Sequence, residues 1–101
     1  MRRPIARSLA RVGERWTILI LRDVLNGRTR FDEFQESLGI APNILTGRLK
    51  ALVVAGLLEK RRYSERPARD EYLLTQRGQD FRLVIVMLQT WGNAHFAPDP
   101  W

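Results

Sequence analysis

The stretch that most restricts the fold covers residues 31–54, FDEFQESLGIAPNILTGRLKALVV. Its first part repeats apolar residues on one face of a helix of about two turns, namely Phe31, Phe34 and Leu38. Gly39 follows, at a position where helices often end in a left-handed residue. A second helix, beginning near Pro42, buries Leu45, Leu49 and Leu52. Two short helices joined by a glycine turn are typical of a helix-turn-helix.

The outward face of the second helix carries no acidic residue. At about 100° per residue, the side opposite the leucines presents Asn43, Gly47 and Lys50, with Thr46 and Ala51 on its shoulders. A merely solvated helix usually mixes both charge signs, so this face favours contact with a negatively charged groove. An ordinary exposed helix is the alternative interpretation.

The residues before this motif predict two further helices and a short strand. Pro4 suits the first turn of one helix, and Gly13 is expected to end it. The next helix, predicted over residues 15–25, is apolar on most sides and should be the central helix of the core. Residues 28–30 are a candidate for a small edge strand.

The stretch RRYSERPARDEY, residues 61–72, is highly charged, and it overlaps the ends of two strand-like segments, LLEKRRY over residues 57–63 and EYLLT over residues 71–75, that flank a charged loop. A tight hairpin turn needs only two or three residues, so the extra length predicts a surface loop that reaches a partner. This loop contains Arg66 and Arg69, and Pro67 restricts its flexibility. Two strands and a charged loop after a helix-turn-helix predict a winged helix, with this loop as its wing.

Thr75 is the expected N-cap of a single final helix over residues 76–96. From Phe81 to Leu88 this helix is apolar on nearly all sides, and a lone domain of this size cannot cover every face. A second copy of the chain is therefore expected to cover it.

Composition fits one folded domain, over residues 1–101, with a basic surface. Lysine and arginine number 17 against 11 acidic residues, which gives a formal net charge of +6. Most of these cations are arginine, whose guanidinium fork suits phosphate oxygens. They concentrate in the first 30 residues and around the charged loop, whereas the last third of the chain is neutral.

Several function classes lack the residues that they need. The chain has no cysteine, which excludes disulfides, thiol chemistry and sulfur-ligated zinc. His95 is the only histidine, and no serine lies in a nucleophile-elbow pattern, so neither an enzyme nor a metal or cofactor site is expected. No apolar run approaches the length of a membrane span, and a cytoplasmic location without membrane contact is expected.

A set of short motifs runs in register along almost the whole chain. It comprises Trp16 with Leu19 to Arg22, Gly27-x-x-Arg30-Phe31, Leu45-x-x-Arg48-Leu49, Tyr63, Pro67, Tyr72, Leu74-Thr75 and Gly78. In these motifs the chain resembles the HxlR family of bacterial transcription regulators. The resemblance implies a mainly α (α+β) fold, a winged helix-turn-helix with a two-stranded wing and a C-terminal dimerisation helix.

The resemblance also implies a function and the residues that carry it. A homodimer would bind double-stranded DNA at a near-palindromic operator, with half-sites about 34 to 36 Å apart, and act as a repressor. Base-edge readers are expected among Pro42, Asn43, Thr46, Gly47 and Lys50, with Asn43 as the adenine partner. Phosphate or wing contacts are expected from Arg28, Arg30, Arg48, Arg66 and Arg69. The expected dimer contacts are Ile5, Leu9, Phe81, Val84, Ile85, Leu88 and Trp91.

The chain departs from the family pattern at two positions. Arg3 lies near the place where many relatives carry a sensing cysteine, so thiol sensing cannot be transferred. Ala41 stands where many relatives have a serine, and the second helix of the motif therefore lacks a side-chain N-cap, at a cost of about 1 kcal/mol. Pro42 partly compensates.

Three alternatives stay open at the level of sequence. A winged-helix module that binds another protein and not DNA would keep the same fold. The shoulder position of Arg48 also permits an ion pair within the chain. A small-molecule effector could bind in a dimer cavity lined by four residues whose ordinary interpretation is as core, which are Trp16, Phe81, Met87 and Trp91.

Overall fold

The computed structural model describes residues 3–12 and 14–96. This part of the chain forms six helices and one two-stranded antiparallel sheet, which are α1 Pro4–Val12, α2 Arg15–Leu25, α3 Phe31–Leu38, α4 Pro42–Val54, β1 Leu58–Glu65, β2 Ala68–Leu74, α5 Gln76–Asp80 and α6 Arg82–His95. The predicted bounds of α2 and α3 are confirmed. Gly13, the expected end of α1, lies outside the described residues.

Helix α2 lies at the centre of the core, as its apolar sequence predicts. Its Ile20 and Leu21 are fully buried, and α3, α4, α6 and β2 all pack against this helix. The two helices of the motif and the residues around the start of β1 add Phe34, Leu38, Leu45, Leu49, Leu52, Leu57 and Leu58 to this core, which also contains Val12, Val24, Ile40 and Ile85. Full burial stabilises the fold by about 1.5–3 kcal/mol for each such side chain.

The turn between α3 and α4 is short because Gly39 takes a conformation that other residues disfavour. Its φ of 64° is left-handed, and its N–H donates to Gln35 O to close α3. Helix α4 then begins without a side-chain cap, since Ala41 occupies the cap position and Pro42 the first turn. The prediction of an uncapped second helix is confirmed.

The start of α3 is fixed by one carboxylate. Glu33 accepts hydrogen bonds of 3.0 Å from the backbone N–H groups of Thr29 and Arg30. These bonds lower the pKa of Glu33, because they stabilise its ionised form. The edge strand predicted over residues 28–30 is wrong in extent, since only an isolated antiparallel bridge forms, between Arg30 and Glu71.

The strands of the wing are longer than the sequence suggested. The predicted charged loop is mostly sheet, because β1 continues to Glu65 and β2 begins at Ala68, which leaves Arg66 and Pro67 to join them. The register pairs Leu58 with Leu74 at the base and Glu65 with Ala68 at the tip. It shifts between Arg62 and Ser64, so β1 carries one bulged residue, Tyr63.

The final helix is divided in two, which corrects the prediction of a single helix. Thr75 caps α5, accepting a hydrogen bond from Gly78 N, and its hydroxyl donates to Gly56 O. The chain then turns at Phe81, whose backbone both ends α5 and precedes α6. Gly78 lies against the backbone of Leu57, which leaves no space for a side chain.

Candidate nucleic-acid interface

Helix α4 exposes the side that the sequence predicts. Leu45, Leu49 and Leu52 are buried, and the exposed residues of α4 include the five predicted base readers, which are Pro42, Asn43, Thr46, Gly47 and Lys50. Among the described residues, Lys50 forms no ion pair. The five predicted base readers therefore share one accessible surface that is free of acidic groups.

Two of these five residues are linked to each other. The Thr46 hydroxyl donates to the carbonyl oxygen of Pro42 at 2.9 Å. This bond occupies the donor of Thr46 and leaves its oxygen lone pairs as acceptors. Thr46 therefore presents its methyl group and an acceptor to a partner, whereas the Asn43 amide keeps both kinds of hydrogen-bonding group.

The arginines of the wing fall into two groups. In the stem, Arg61 contacts Glu71 at 3.1 Å and Arg62 contacts Asp70 at 3.0 Å. The hydrogen bond from Arg62 lowers the pKa of Asp70 and keeps it ionised. Near the tip, Arg66 and Arg69 are exposed, and neither forms an ion pair within the described residues. Positive charge is therefore balanced along the stem and unbalanced at the tip.

The two arginines before α3 differ in the same way. The guanidinium carbon of Arg30 lies 4.2 Å from the centre of the Tyr63 ring, a cation–π contact that leaves its charge unneutralised. The Arg28 guanidinium lies 3.8 Å from Asp23, a fully buried carboxylate that also accepts a 3.1 Å hydrogen bond from Arg22. Arg28 is thus partly neutralised, whereas Arg30 lies beside the wing with its charge available.

Arg48 points away from the exposed face of α4. Its Nε donates to Glu14 Oε2 at 2.9 Å, and the same oxygen accepts from Thr17 N at the start of α2. Partial burial alone would raise the pKa of Glu14, but the hydrogen bonds from Arg48 and from backbone N–H groups outweigh it and lower the pKa. Of the two interpretations open for Arg48, the intramolecular ion pair is confirmed.

Residues 11–100 match the sequence profile of the HxlR-like helix-turn-helix family. The chain belongs to the HxlR-like family. The exposed face of α4, the wing and the two arginines before α3 are therefore parts of an HxlR-like domain. The predicted fold class is confirmed.

Similar HxlR-like proteins are transcriptional regulators, not enzymes. The chain is 44% identical over 96 residues to Rv3095, an HTH-type transcriptional regulator of Mycobacterium tuberculosis. This match covers 95% of the chain and 60% of Rv3095. The chain thus spans less than two thirds of the length of this relative.

Two solved structures share the fold. PA1374 of Pseudomonas aeruginosa is 62% identical, with a TM-score of 0.73, over 93% of this chain and 64% of its own. The reduced form of the transcriptional regulator YodB of Bacillus subtilis is 28% identical, with a TM-score of 0.79, over 98% of both chains. The described fold therefore recurs in regulators both longer than this chain and of similar length.

The predicted dimer contacts of this HxlR-like chain do not all share one surface. Five of them are exposed, which are Ile5, Leu9, Val84, Leu88 and Trp91. Ile85 is only 3% exposed, in the core of its own subunit, and Phe81 is half-buried against that core. The assignment of Ile85 to the dimer contact is therefore corrected, because a side chain enclosed by its own subunit cannot reach a partner.

The four aromatic and methionine residues proposed for an effector cavity do not surround one space. Trp16 and Phe81 pack against the core. Met87 and Trp91 lie instead on an apolar surface of α6, with Leu83, Val84 and Leu88. Within the described subunit these four residues therefore line no common cavity, and a cavity between two subunits stays a prediction.

Sequence reasoning missed three residues that position the interface: Glu14, Asp23 and Tyr63. Glu14 forms an ion pair with Arg48 and Asp23 forms one with Arg28. Tyr63 is the bulged residue of β1 and contacts Arg30.

In the described residues, no cluster of His, Cys, Asp or Glu could hold a metal ion. None of the described helices is both long and apolar enough to cross a membrane.

Proposed function

We propose that this chain is a sequence-specific, double-stranded DNA-binding transcriptional regulator. The observation that carries the proposal is the distribution of ion pairs. The cations of the wing stem are neutralised by Glu71 and Asp70, whereas Lys50, Arg66 and Arg69 have no acidic partner in the described residues. Unneutralised cations beside an acid-free helix face are suited to phosphates that flank a major groove.

Each element has a role in this proposal. Helix α4 enters the major groove, where Asn43 can make two hydrogen bonds to adenine and Lys50 can donate to guanine. Pro42, Thr46 and Gly47 allow close approach of the helix to the base edges. Arg66 and Arg69 bind the DNA backbone beside it, and Arg28 and Arg30 bind phosphates near the start of α3. Arg48 positions α4 through Glu14.

We also propose that two copies bind together at a near-palindromic operator. The exposed apolar residues of α1 and α6 supply the contact between subunits, which are Ile5, Leu9, Val84, Leu88 and Trp91. The two α4 helices would then enter successive major grooves about 34 to 36 Å apart. A dimer bound to such a site in a promoter would block the polymerase, so we infer that the chain acts as a repressor. We also infer a cytoplasmic location, because the DNA of a bacterial cell lies in the cytoplasm.

The deciding experiment measures binding of the purified chain to a pool of random duplexes at several salt concentrations. We expect selection of a two-fold symmetric sequence, and an affinity that falls steeply with salt because bound phosphates release counterions. A folded protein that selects no sequence even in dilute buffer would refute the proposal. If the chain binds another protein tightly and independently of salt, and does not bind duplex DNA, it is a protein-interaction module.

A further inference from the structure

A groove of about 550 Å³ lies between the C-terminal end of α2 and the first two turns of α6. Its apolar lining comes from both helices and from the end of β2, with Val24, Leu25, Leu74, Ile85 and Val86. Small-molecule sites typically have volumes of about 300–1,000 Å³ and a mostly apolar lining with a few polar groups. This groove has the volume of such a site, but its lining is more polar, since six of its eleven lining residues are polar.

The polar groups of the groove are cationic or amide groups. They belong to Arg22, Asn26, Gln76, Gln79, Arg82 and Gln89, and no acidic side chain lines this groove in the described part of the chain. Guanidinium and amide N–H groups are hydrogen-bond donors, and they bind carboxylates most strongly because the bond is charge-assisted. The polar lining therefore favours an anionic ligand.

The two arginines contribute differently. Arg22 donates to the buried Asp23 at 3.1 Å, and its own side chain is 14% exposed, so its charge is balanced within the fold. Arg82 is exposed and forms no ion pair with the described residues. Arg82 is therefore the cation that a ligand can neutralise.

The groove is separate from the apolar surface proposed for the subunit contact. One face of α6 lines the groove, with Arg82, Ile85, Val86 and Gln89 at helical spacing. Leu83, Val84, Met87, Leu88 and Trp91 form the other surface of α6. A partner subunit seated on the second surface leaves the first available to a ligand.

The geometry points to a binding site for a small organic carboxylate in this groove. The apolar body of the ligand lies against Leu25, Leu74 and Val86, and its carboxylate faces Arg82, with the amides of Gln79 and Gln89 as further donors. The Gln76 amide instead donates to Asp80 at 2.9 Å. None of the residues proposed to bind DNA lines this site. Ligand binding can therefore be measured on the protein without DNA, and its result does not depend on the proposed function.

The test is an NMR titration of the full chain with benzoate and hexanoate at constant ionic strength. Benzamide and hexanamide serve as neutral controls of matched shape. We expect saturable shifts of backbone amides in residues 22–26, 74–79 and 82–89. The carboxylates should bind about two- to fivefold more tightly than the amides, because an accessible ion pair contributes up to about 1 kcal/mol.

Three variants locate the site. Arg82→Gln should remove the preference for carboxylates and leave amide binding unchanged, whereas Arg7→Gln, which removes a charge on α1, should change neither. Val86→Phe should abolish binding of both by filling the groove. Thermal melting establishes whether each variant is folded. If a variant is unfolded, the ratio of carboxylate affinity to amide affinity in the unmodified chain decides whether the site prefers an anion. Absent or unlocalised shifts, equal affinities for acid and amide, or an equal effect of Arg7→Gln would overturn the assignment.

Discussion

Arg48 of α4 and Glu14 at the start of α2 form an ion pair of 2.9 Å across 34 residues of sequence. The same carboxylate accepts a hydrogen bond from Thr17 N and so caps α2. One side chain therefore begins the central helix and holds the proposed DNA-reading helix against it. We expect this pair to help fix the orientation of α4 relative to α2.

Replacing Glu14 with glutamine should lower the free energy of unfolding at neutral pH by about 0.5 kcal/mol, because solvent screens a pair that is partly exposed. The pKa of Glu14 is lowered in the folded chain. Its contribution is therefore complete above the unfolded-state pKa and is lost as pH falls through the folded-state pKa. Urea unfolding of the variant and of the unmodified chain, at neutral pH and at about pH 3, measures the difference in free energy of unfolding at each pH.

The double variant with Arg48→Gln separates the pair from the cap. If the pair matters, the Glu14→Gln effect should shrink when Arg48 is already absent. A stability loss that persists unchanged in acid would mean that the ionised carboxylate is not its cause.

Removing the charge of Arg69 should weaken binding to all duplexes alike. The expected decrease in the slope of log affinity against log salt is about one unit, because one phosphate contact is lost. Arg61→Ala is the matched control, since Arg61 is paired with Glu71 in the stem and should change the slope much less. Equal slopes for the Arg69→Ala variant and the unmodified chain would remove Arg69 from the phosphate contacts.

The Asn43→Ala variant should relax the preference at one base position in each half-site. The expected loss of discrimination is about 1–3 kcal/mol, the contribution of a good bidentate contact. Competition binding with single-base variants of the selected site measures it. Uniform weakening at every position would assign Asn43 a supporting role instead.

Leu88→Asp should yield monomers or aggregates, because it places a charge on the apolar surface of α6. Light scattering after size-exclusion chromatography measures the mass. Val54→Asp is the control, as Val54 is an apolar residue of α4 that is 80% exposed and is not among the proposed subunit contacts. An intact dimer of the Leu88→Asp variant would refute the proposed subunit contact.

Gly78→Ala should destabilise the fold by about 1–3 kcal/mol, the usual cost of overpacking. The added Cβ would collide with the carbonyl oxygen of Leu57 and the side chain of Leu74. Gly92→Ala is the matched control, because nothing in the described chain lies within 4 Å of its added Cβ. We expect that substitution to stabilise α6 by about 0.5–1 kcal/mol, and denaturant unfolding compares the two.

The helix-turn-helix was predictable because its determinants are local. Apolar spacing in α3 and α4, together with a left-handed Gly39, specifies two short helices before any distant contact forms. The extent of the wing was not predictable in this way. The charged residues between 64 and 70 suggested a loop, but in the antiparallel sheet Asp70 faces Arg62 and stabilises the strands as a cross-strand pair.

The limits are similar for the candidate interface. The exposed residues of α4 follow from helical geometry, whereas the partner of Arg48 depends on how two distant helices meet. Residues 83–88 of helix α6 are apolar on every side, so their sequence alone cannot indicate which face the subunit buries. Packing against α2 decides this, and it encloses Ile85 while leaving Val84 exposed.

The bulge at Tyr63 also limits how the wing can vary in length. Side chains alternate along a strand, so an unmatched insertion or deletion turns over every residue beyond it. One surplus residue in β1 is absorbed at Tyr63, and the pairs at the base and tip both stay aligned. A single further residue in one arm should therefore be tolerated only with a second bulge, whereas changes that keep both the cross-strand pairs and the faces of the tip residues should alter each arm by two residues.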